Sequence, residues 1–225
     1  KVSLALLKFF TVLTSLGAKE RLALSFRHMN DDPQNHIRVI PPLLRREVTL
    51  HEPYSGDYIH GYMVNAGFSE NVMKWHRQHP GIPLRFFWDK WEEEPVKRVD
   101  NTLSFYQLDD VEFLRQMAGC KAYASTAGFE SVCEAMYLGK PILMVPAHIE
   151  QDCNAYDAEK SGAGIISSDF NLQQLLEFAK DYHPNRDFVY WVRGAEYTLL
   201  NLLESDSSNY QQILFNEMYL VEEFI

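Results

Sequence analysis

The stretch Ser125–Ala155, STAGFESVCEAMYLGKPILMVPAHIEQDCNA, carries more punctuation than packing alone requires. Ser125 and Thr126 end a predicted strand, and Gly128 allows close backbone approach at the turn into a helix predicted from Phe129 to Leu138. Ser131 falls in the first turn of that helix. Glu134 follows three positions after Ser131 and four after Glu130, which puts all three on one helix face. Gly139 stands where a helix ends, Pro141 sets the entry into an apolar strand, and Pro146 closes that strand. Glu150 and Gln151 come next, just before a helix predicted from Cys153. Free N–H groups at the start of the first helix suit an anion. One turn further on, Glu134 can accept two hydrogen bonds from a pair of hydroxyls. A nucleoside diphosphate fits that outline, whereas a plain βα turn with a solvated carboxylate explains only its parts.

Outward from this stretch the chain alternates apolar runs with helical patterns. Upstream, YIHGYMVN reads as a buried strand and SENVMKWHRQH as a helix capped by Ser69. PLRFFWD and NTLSFYQL are strands, DDVEFLRQMAGC is a helix with an acidic start, and KAYAST is a strand. Downstream come the short strand AGIIS and the helix NLQQLLEFAKDY. This alternation predicts an α/β fold: a doubly wound, Rossmann-like parallel sheet with helices on both faces. Its ligand belongs beyond the carboxyl ends of the strands. A second strand-to-helix turn, VNAGFSEN, qualifies as an anion site there, with Asn65 leading in, Gly67 making the tight turn and Ser69 opening the helix.

At 225 residues, 46% hydrophobic and 13% aromatic, the chain can bury one substantial core. Its net charge of -10 argues against a nucleic-acid partner. Cys120, Cys133 and Cys153 show neither metal-ligand spacing nor a disulfide framework, which points to a reducing, cytoplasmic setting and no metal. The opening KVSLALLKFFTVLTSL has the look of a signal peptide, but Lys8 interrupts it and no small-residue cleavage site follows. It is read as an amphipathic helix of a truncated or split protein. No apolar run approaches the roughly 20 residues of a membrane span, so peripheral membrane association is expected only through regions outside this chain. Pro41 and Pro42 end a strand predicted from His36 to Ile40 and start an extended linker. The expected division is residues 1–40, a linker at 41–48, a nucleotide-binding unit at 49–185, and terminal helices at 186–225 that return to the first unit. DFVYWVRGAEYTLLNLLES and SSNYQQILFNEMYLVEEFI are read as those two helices.

Taken in order, the proline-bearing linker, NAGFS, SFYQLDDVEFLRQMAGC, the Gly-Ser-Glu helix, GKPILMVP and EQDCNA resemble the donor-binding half of the GT-B glycosyltransferases. The likeness is greatest to the enzymes related to the N-acetylglucosaminyltransferase of peptidoglycan synthesis and to the UDP-glycosyltransferases. The resemblance covers roughly residues 41–166. It implies that Asn65, Gly67, Ser69, Thr126, Gly128 and Ser131 hold the donor diphosphate and that Glu134 holds the ribose. It further implies that Glu150 and Gln151 touch the donor sugar and that the backbone of Tyr106, Gln107 and Leu108 faces the base. The chain departs from many UDP-glycosyltransferases at Thr126, where they carry a His, and at Glu130, an added carboxylate.

The function implied is transfer of a sugar from a nucleotide diphosphate-sugar, UDP foremost, to an acceptor hydroxyl, with no cofactor beyond that substrate. In such enzymes the acceptor and the catalytic base sit on an N-terminal domain, of which residues 1–40 would be only the end. The catalytic residue is therefore expected outside this chain, which alone would be inactive, and the missing half is expected in cis or on a partner subunit. His148 reads as a polar rim residue and His60 as a core residue. A subunit of a split transferase, a sugar-nucleotide 2-epimerase and a non-catalytic nucleotide-binding module stay open as alternatives.

Overall fold

The computed structural model describes residues 2–90 and 94–204. Helix α1 (Val2–Thr14) leads to a small parallel pair, β1 (Arg21–Leu24) and β2 (Ile37–Ile40), with Arg21 opposite Ile37 and Leu24 opposite Ile40. Pro41 and Pro42 end β2 as expected, and the segment after them is extended until one helical turn, α2 (Arg46–Thr49), forms where linker had been expected to continue. No helix among the described residues is long and apolar enough to cross a membrane.

The main sheet then builds outward from β3 (Ile59–Met63). Helix α3 (Ser69–Gln78) returns the chain to β4 (Leu84–Trp88). A short strand β5 (Val96–Arg98) turns back antiparallel against β6 (Leu103–Gln107). Helix α4 (Asp110–Gly119) then carries the chain back past β3 to β7 (Ala122–Ser125). Helix α5 (Phe129–Tyr137), β8 (Ile142–Met144), α6 (Ile149–Lys160), β9 (Gly164–Ile166) and α7 (Leu172–Phe178) continue in the opposite direction. The strand order is β5-β6-β4-β3-β7-β8-β9, with every pair parallel except β5 with β6. The expected doubly wound sheet is present, and its strand order reverses between β3 and β7.

Period-two alternation sends neighbouring residues of each strand into different cores. Ile59 and Met63 of β3, Phe86 of β4, Ala124 of β7 and Leu143 of β8 pack with Val72 of α3 and Leu172 and Leu175 of α7. Phe87, Tyr123, Ile142 and Met144 face the other way, onto Leu114 and Met117 of α4, Val132 and Met136 of α5, and Ala155 of α6. A parallel sheet needs both faces covered because its crossovers place helices on both, and here each layer has its own apolar cluster.

Local signals explain most boundaries. Gly139 follows α5 with φ +67°, and the Lys140 N–H returns to the Ala135 carbonyl, the left-handed helix ending expected there. Lys140 is buried, and its ammonium donates to the Tyr54 and Cys120 carbonyls at 2.8 and 2.9 Å, tying the approach to β3 to the end of α4. Two boundaries differ from expectation. Ser69 does not cap α3; a 3-10 turn over Ala66–Phe68 precedes the helix, and the Asn65 side chain accepts from the Gly67 N–H instead. Helix α6 begins at Ile149 rather than Cys153, so Glu150 and Gln151 lie inside its first turn.

Helix α8 (Arg186–Arg193) packs on α5, and Trp191 donates from its indole N–H to the Ser25 carbonyl at 3.0 Å. Gly194 interrupts the terminal helix, which resumes over 195–204. The helix expected in SSNYQQILFNEMYLVEEFI lies outside the described residues. All three cysteines are free, Cys120 and Cys133 buried and Cys153 exposed.

In the pairing of β8 with β9 Gly164 stands opposite Ile142, and a Cβ there would meet the Ile142 carbonyl oxygen, a backbone atom that cannot swing aside. Gly164→Ala is expected to destabilise the chain by about 1–3 kcal/mol, the usual cost of overpacking, read as a lower urea midpoint. An unchanged midpoint would mean that the edge strand β9 is not held against β8 as described.

Candidate functional site

At the reversal of strand order the chain leaves β3 and β7 in opposite directions, and the crevice between them lies at the carboxyl ends of both strands. The two loops are joined there: the Val64 N–H donates to the Thr126 hydroxyl at 3.3 Å, and Thr126 is fully buried. The Ser125 hydroxyl accepts from the Ala127 N–H at 3.1 Å, and Asn154 of α6 donates to the Ala127 carbonyl at 3.3 Å. Ala127 itself is left-handed, with φ +61°, a conformation costing an L-residue about 1–2 kcal/mol. Such strain persists only where surrounding contacts over-determine it, and here the three hydrogen bonds supply them.

This turn delivers Gly128 as the residue before α5, and no side chain caps that helix. The nearby Ser131 hydroxyl is turned instead to the Gly128 carbonyl, to which it donates at 3.2 Å. By contrast, α4, α7 and α8 are capped by the side chains of Asp109, Asn171 and Asn185. The first N–H groups of α5 are therefore left for solvent or for an anion.

Beside this helix start is a cavity of about 370 Å³ whose walls include Tyr62, Leu108, Phe113, Gly128, Ser131 and Glu134. Of the residues expected to form the site, Leu108, Gly128, Ser131 and Glu134 meet here. Asn65, Gly67 and Ser69 form the neighbouring loop after β3, with Asn65 and Gly67 exposed. Tyr106 and Gln107 end β6, and the Tyr106 ring stacks on Phe87 at 5.0 Å. Glu150 is exposed, whereas Gln151 is buried and its side-chain Oε1 accepts from the Ala147 N–H at 2.9 Å, outside the cavity. His60 is enclosed by the rings of Phe87, Phe113 and Tyr123, and burial pushes its pKa down to about 3, so it stays a neutral core residue. His148 is exposed at the start of α6.

One residue was not anticipated from the sequence. Arg45, in the segment between β2 and α2, reaches across 89 positions to grip Glu134 with both ends of its guanidinium, Nε to Oε1 at 2.6 Å and Nη2 to Oε2 at 2.8 Å. Its third nitrogen lies 3.2 Å from Asp110. Glu134 is wholly buried, and burial raises its pKa despite the opposing pull of Arg45. Arg45 is pushed up in turn, chiefly by its hydrogen bond to Glu134. The first shift favours a neutral acid and the second an ion pair. The short, two-pronged geometry decides for the ion pair at neutral pH.

A buried carboxylate whose folded pKa lies above its unfolded value costs stability as pH rises through that window. Removing Arg45 deepens this, because burial then acts alone. Arg45→Met is expected to lose about 3–5 kcal/mol at neutral pH. The deficit relative to wild type should shrink as pH falls toward the ordinary Glu value of 4.5, as followed by urea unfolding over a pH series. A deficit that does not vary with pH would reduce Arg45 to a packing role.

Known proteins share this fold. Residues 14–182 match the family model described as glycosyl transferase family 1. A curated Caenorhabditis elegans protein, a putative UDP-glucuronosyltransferase (ugt-48), is 26% identical over 105 residues, covering 46% of this chain and 20% of that protein. The calicheamicin glycosyltransferase CalG4 superposes with a TM-score of 0.55 at 14% identity, over 76% of this chain and 48% of that one. The glycosyltransferase of kitacinnamycin gives 0.53 at 14% identity, over 77% and 50%. At these identities the structures bear on the fold, and this chain spans about half their length. With the family model covering residues 14–182 of 225, the chain belongs to glycosyl transferase family 1, and its main sheet is the Rossmann-like domain of the GT-B fold.

Proposed function

We propose that this chain is the donor-binding half of a glycosyltransferase that moves a sugar from a nucleotide diphosphate-sugar, UDP foremost, to an acceptor hydroxyl. One observation carries the reading: a cavity at the strand-order reversal is flanked by the uncapped start of α5 and, one turn along, by the buried carboxylate of Glu134. The diphosphate meets the N–H groups from Gly128 to Ser131 and the loop Asn65–Ser69, with Thr126 tying the two loops together. The backbone after Tyr106 and Gln107, at Leu108, faces the base, and Glu134 reads the ribose hydroxyls. Glu150 and Gln151, at the start of α6, lie on the donor-sugar side. Helix N–H groups aimed at the departing diphosphate stabilise the charge that develops as the glycosidic bond to it breaks.

In this reading residues 1–40 end an acceptor domain, 41–48 link it to the donor domain at 49–185, and the terminal helices run back toward it. The catalytic group comes from that missing half, in cis or on a partner subunit, in a cytoplasmic protein. The chain alone binds donor without turning it over.

Calorimetric titration with UDP, GDP, TDP and their sugar conjugates tests this. One diphosphate should bind, and Glu134→Ala should weaken it at least about tenfold, the effect of losing hydrogen bonds to a charged group. Binding of no nucleotide, by this chain and by a longer form that includes the other half, would end the donor reading.

A further inference from the structure

The Arg45 fork occupies both oxygens of the carboxylate assigned above to the ribose, so hydroxyls can reach Glu134 only when the guanidinium leaves. A wholly buried carboxylate cannot be left without partners, and two hydroxyl donors can replace two N–H donors on the same oxygens. The guanidinium also has somewhere to go. Among the described residues lining the cavity, Arg45 is the sole cation, facing the carboxylates of Glu130, Glu134 and Asp110. The start of α5, Phe129, lies five residues before Glu134, a rise of about 7.5 Å along the helix, within the swing of an arginine side chain. The remaining tie, to Asp110, is to a side chain 91% exposed and holds it weakly.

We infer that Arg45 is a donor-positioning residue that exchanges partners on binding: the ribose hydroxyls take its place on Glu134, and its guanidinium turns to the diphosphate at the start of α5. This rests on the donor reading above and adds to it a residue from the linker. The exchange makes ribose and phosphate recognition interdependent. A nucleoside without phosphates must displace Arg45 and offers it nothing in return, so the chain discriminates for the diphosphate through a group outside the phosphate-binding loops.

The readout is the ratio of the dissociation constants of uridine and UDP, with guanosine and GDP in parallel, in wild type and in Arg45 variants. Arg45→Met should weaken UDP while leaving uridine unchanged or tighter, lowering the ratio about tenfold. Arg45→Lys, which keeps a charge on Glu134 but loses the fork, should lower it by less. If both ligands weaken or both tighten by the same factor, so that the ratio holds within twofold, Arg45 merely orients or blocks Glu134 and the exchange is wrong. Should Arg45→Met fail to fold, a constant ratio in Arg45→Lys overturns it alone. Binding of neither ligand, by this chain and by the longer form that includes the other half, overturns the donor reading itself, and the exchange with it.

Discussion

A parallel sheet buried on both faces constrains everything else in this chain. Parallel neighbours need crossovers, helical here after β3, β6, β7 and β8, and from β3 the chain first fills one side with β4, β5 and β6 before returning to start β7. At that return the loops after β3 and β7 diverge and leave a gap at the carboxyl ends of the two strands. The crevice is therefore a topological product, present whatever residues line it. What this chain adds is the bracing of the two loops by Val64 on Thr126, and the left-handed Ala127 that delivers Gly128 to an uncapped helix start.

The second constraint is electrostatic. Placing Glu134 in the interior without a partner would be prohibitive at neutral pH, and α5 contains no cation to meet it. The partner comes from the segment between β2 and α2, so that segment is held to Glu134 by a charge-assisted fork and not only by packing. The same region is fastened elsewhere: Phe26 packs on Phe129 with ring centroids 4.7 Å apart, Arg27 pairs with Asp157 of α6, and Trp191 of α8 bonds the Ser25 carbonyl. The N-terminal segment thus rests on the carboxyl-edge helices α5 and α6 and on α8, next to the cavity.

Helices and strands were readable because their signals are local. Alternation in YIHGYMVN and PLRFFWD, the acidic start of α4 and Gly139 after α5 each act within a few residues, and the corresponding elements formed. The misplaced boundaries are instructive in the same terms. Ser69 has the chemistry of a cap, but Asn65, four residues earlier, takes the turn N–H first and a 3-10 turn leads directly into α3. Helix α6 starts at Ile149 although His148 supplies no side-chain cap; the Asp152 N–H, at the position that reads as a cap, instead donates to the His148 carbonyl at 2.9 Å.

The sequence by itself determined the order of the main alternating strands and helices, though not β1, α2 or the antiparallel β5, together with the doubly wound class and the Gly128–Ser131–Glu134 spacing along the chain, because periodicity, turn chemistry and helical geometry depend on neighbours in the chain. Only the tertiary structure decided that Thr126 is turned inward to brace a loop, that Gln151 is spent on the Ala147 N–H, and that Arg45 holds Glu134. The reason is separation: Val64 lies 62 positions from Thr126, and Arg45 lies 89 from Glu134. Which donor finds which acceptor at such distances is settled by how strands and helices stack, and no local pattern records it.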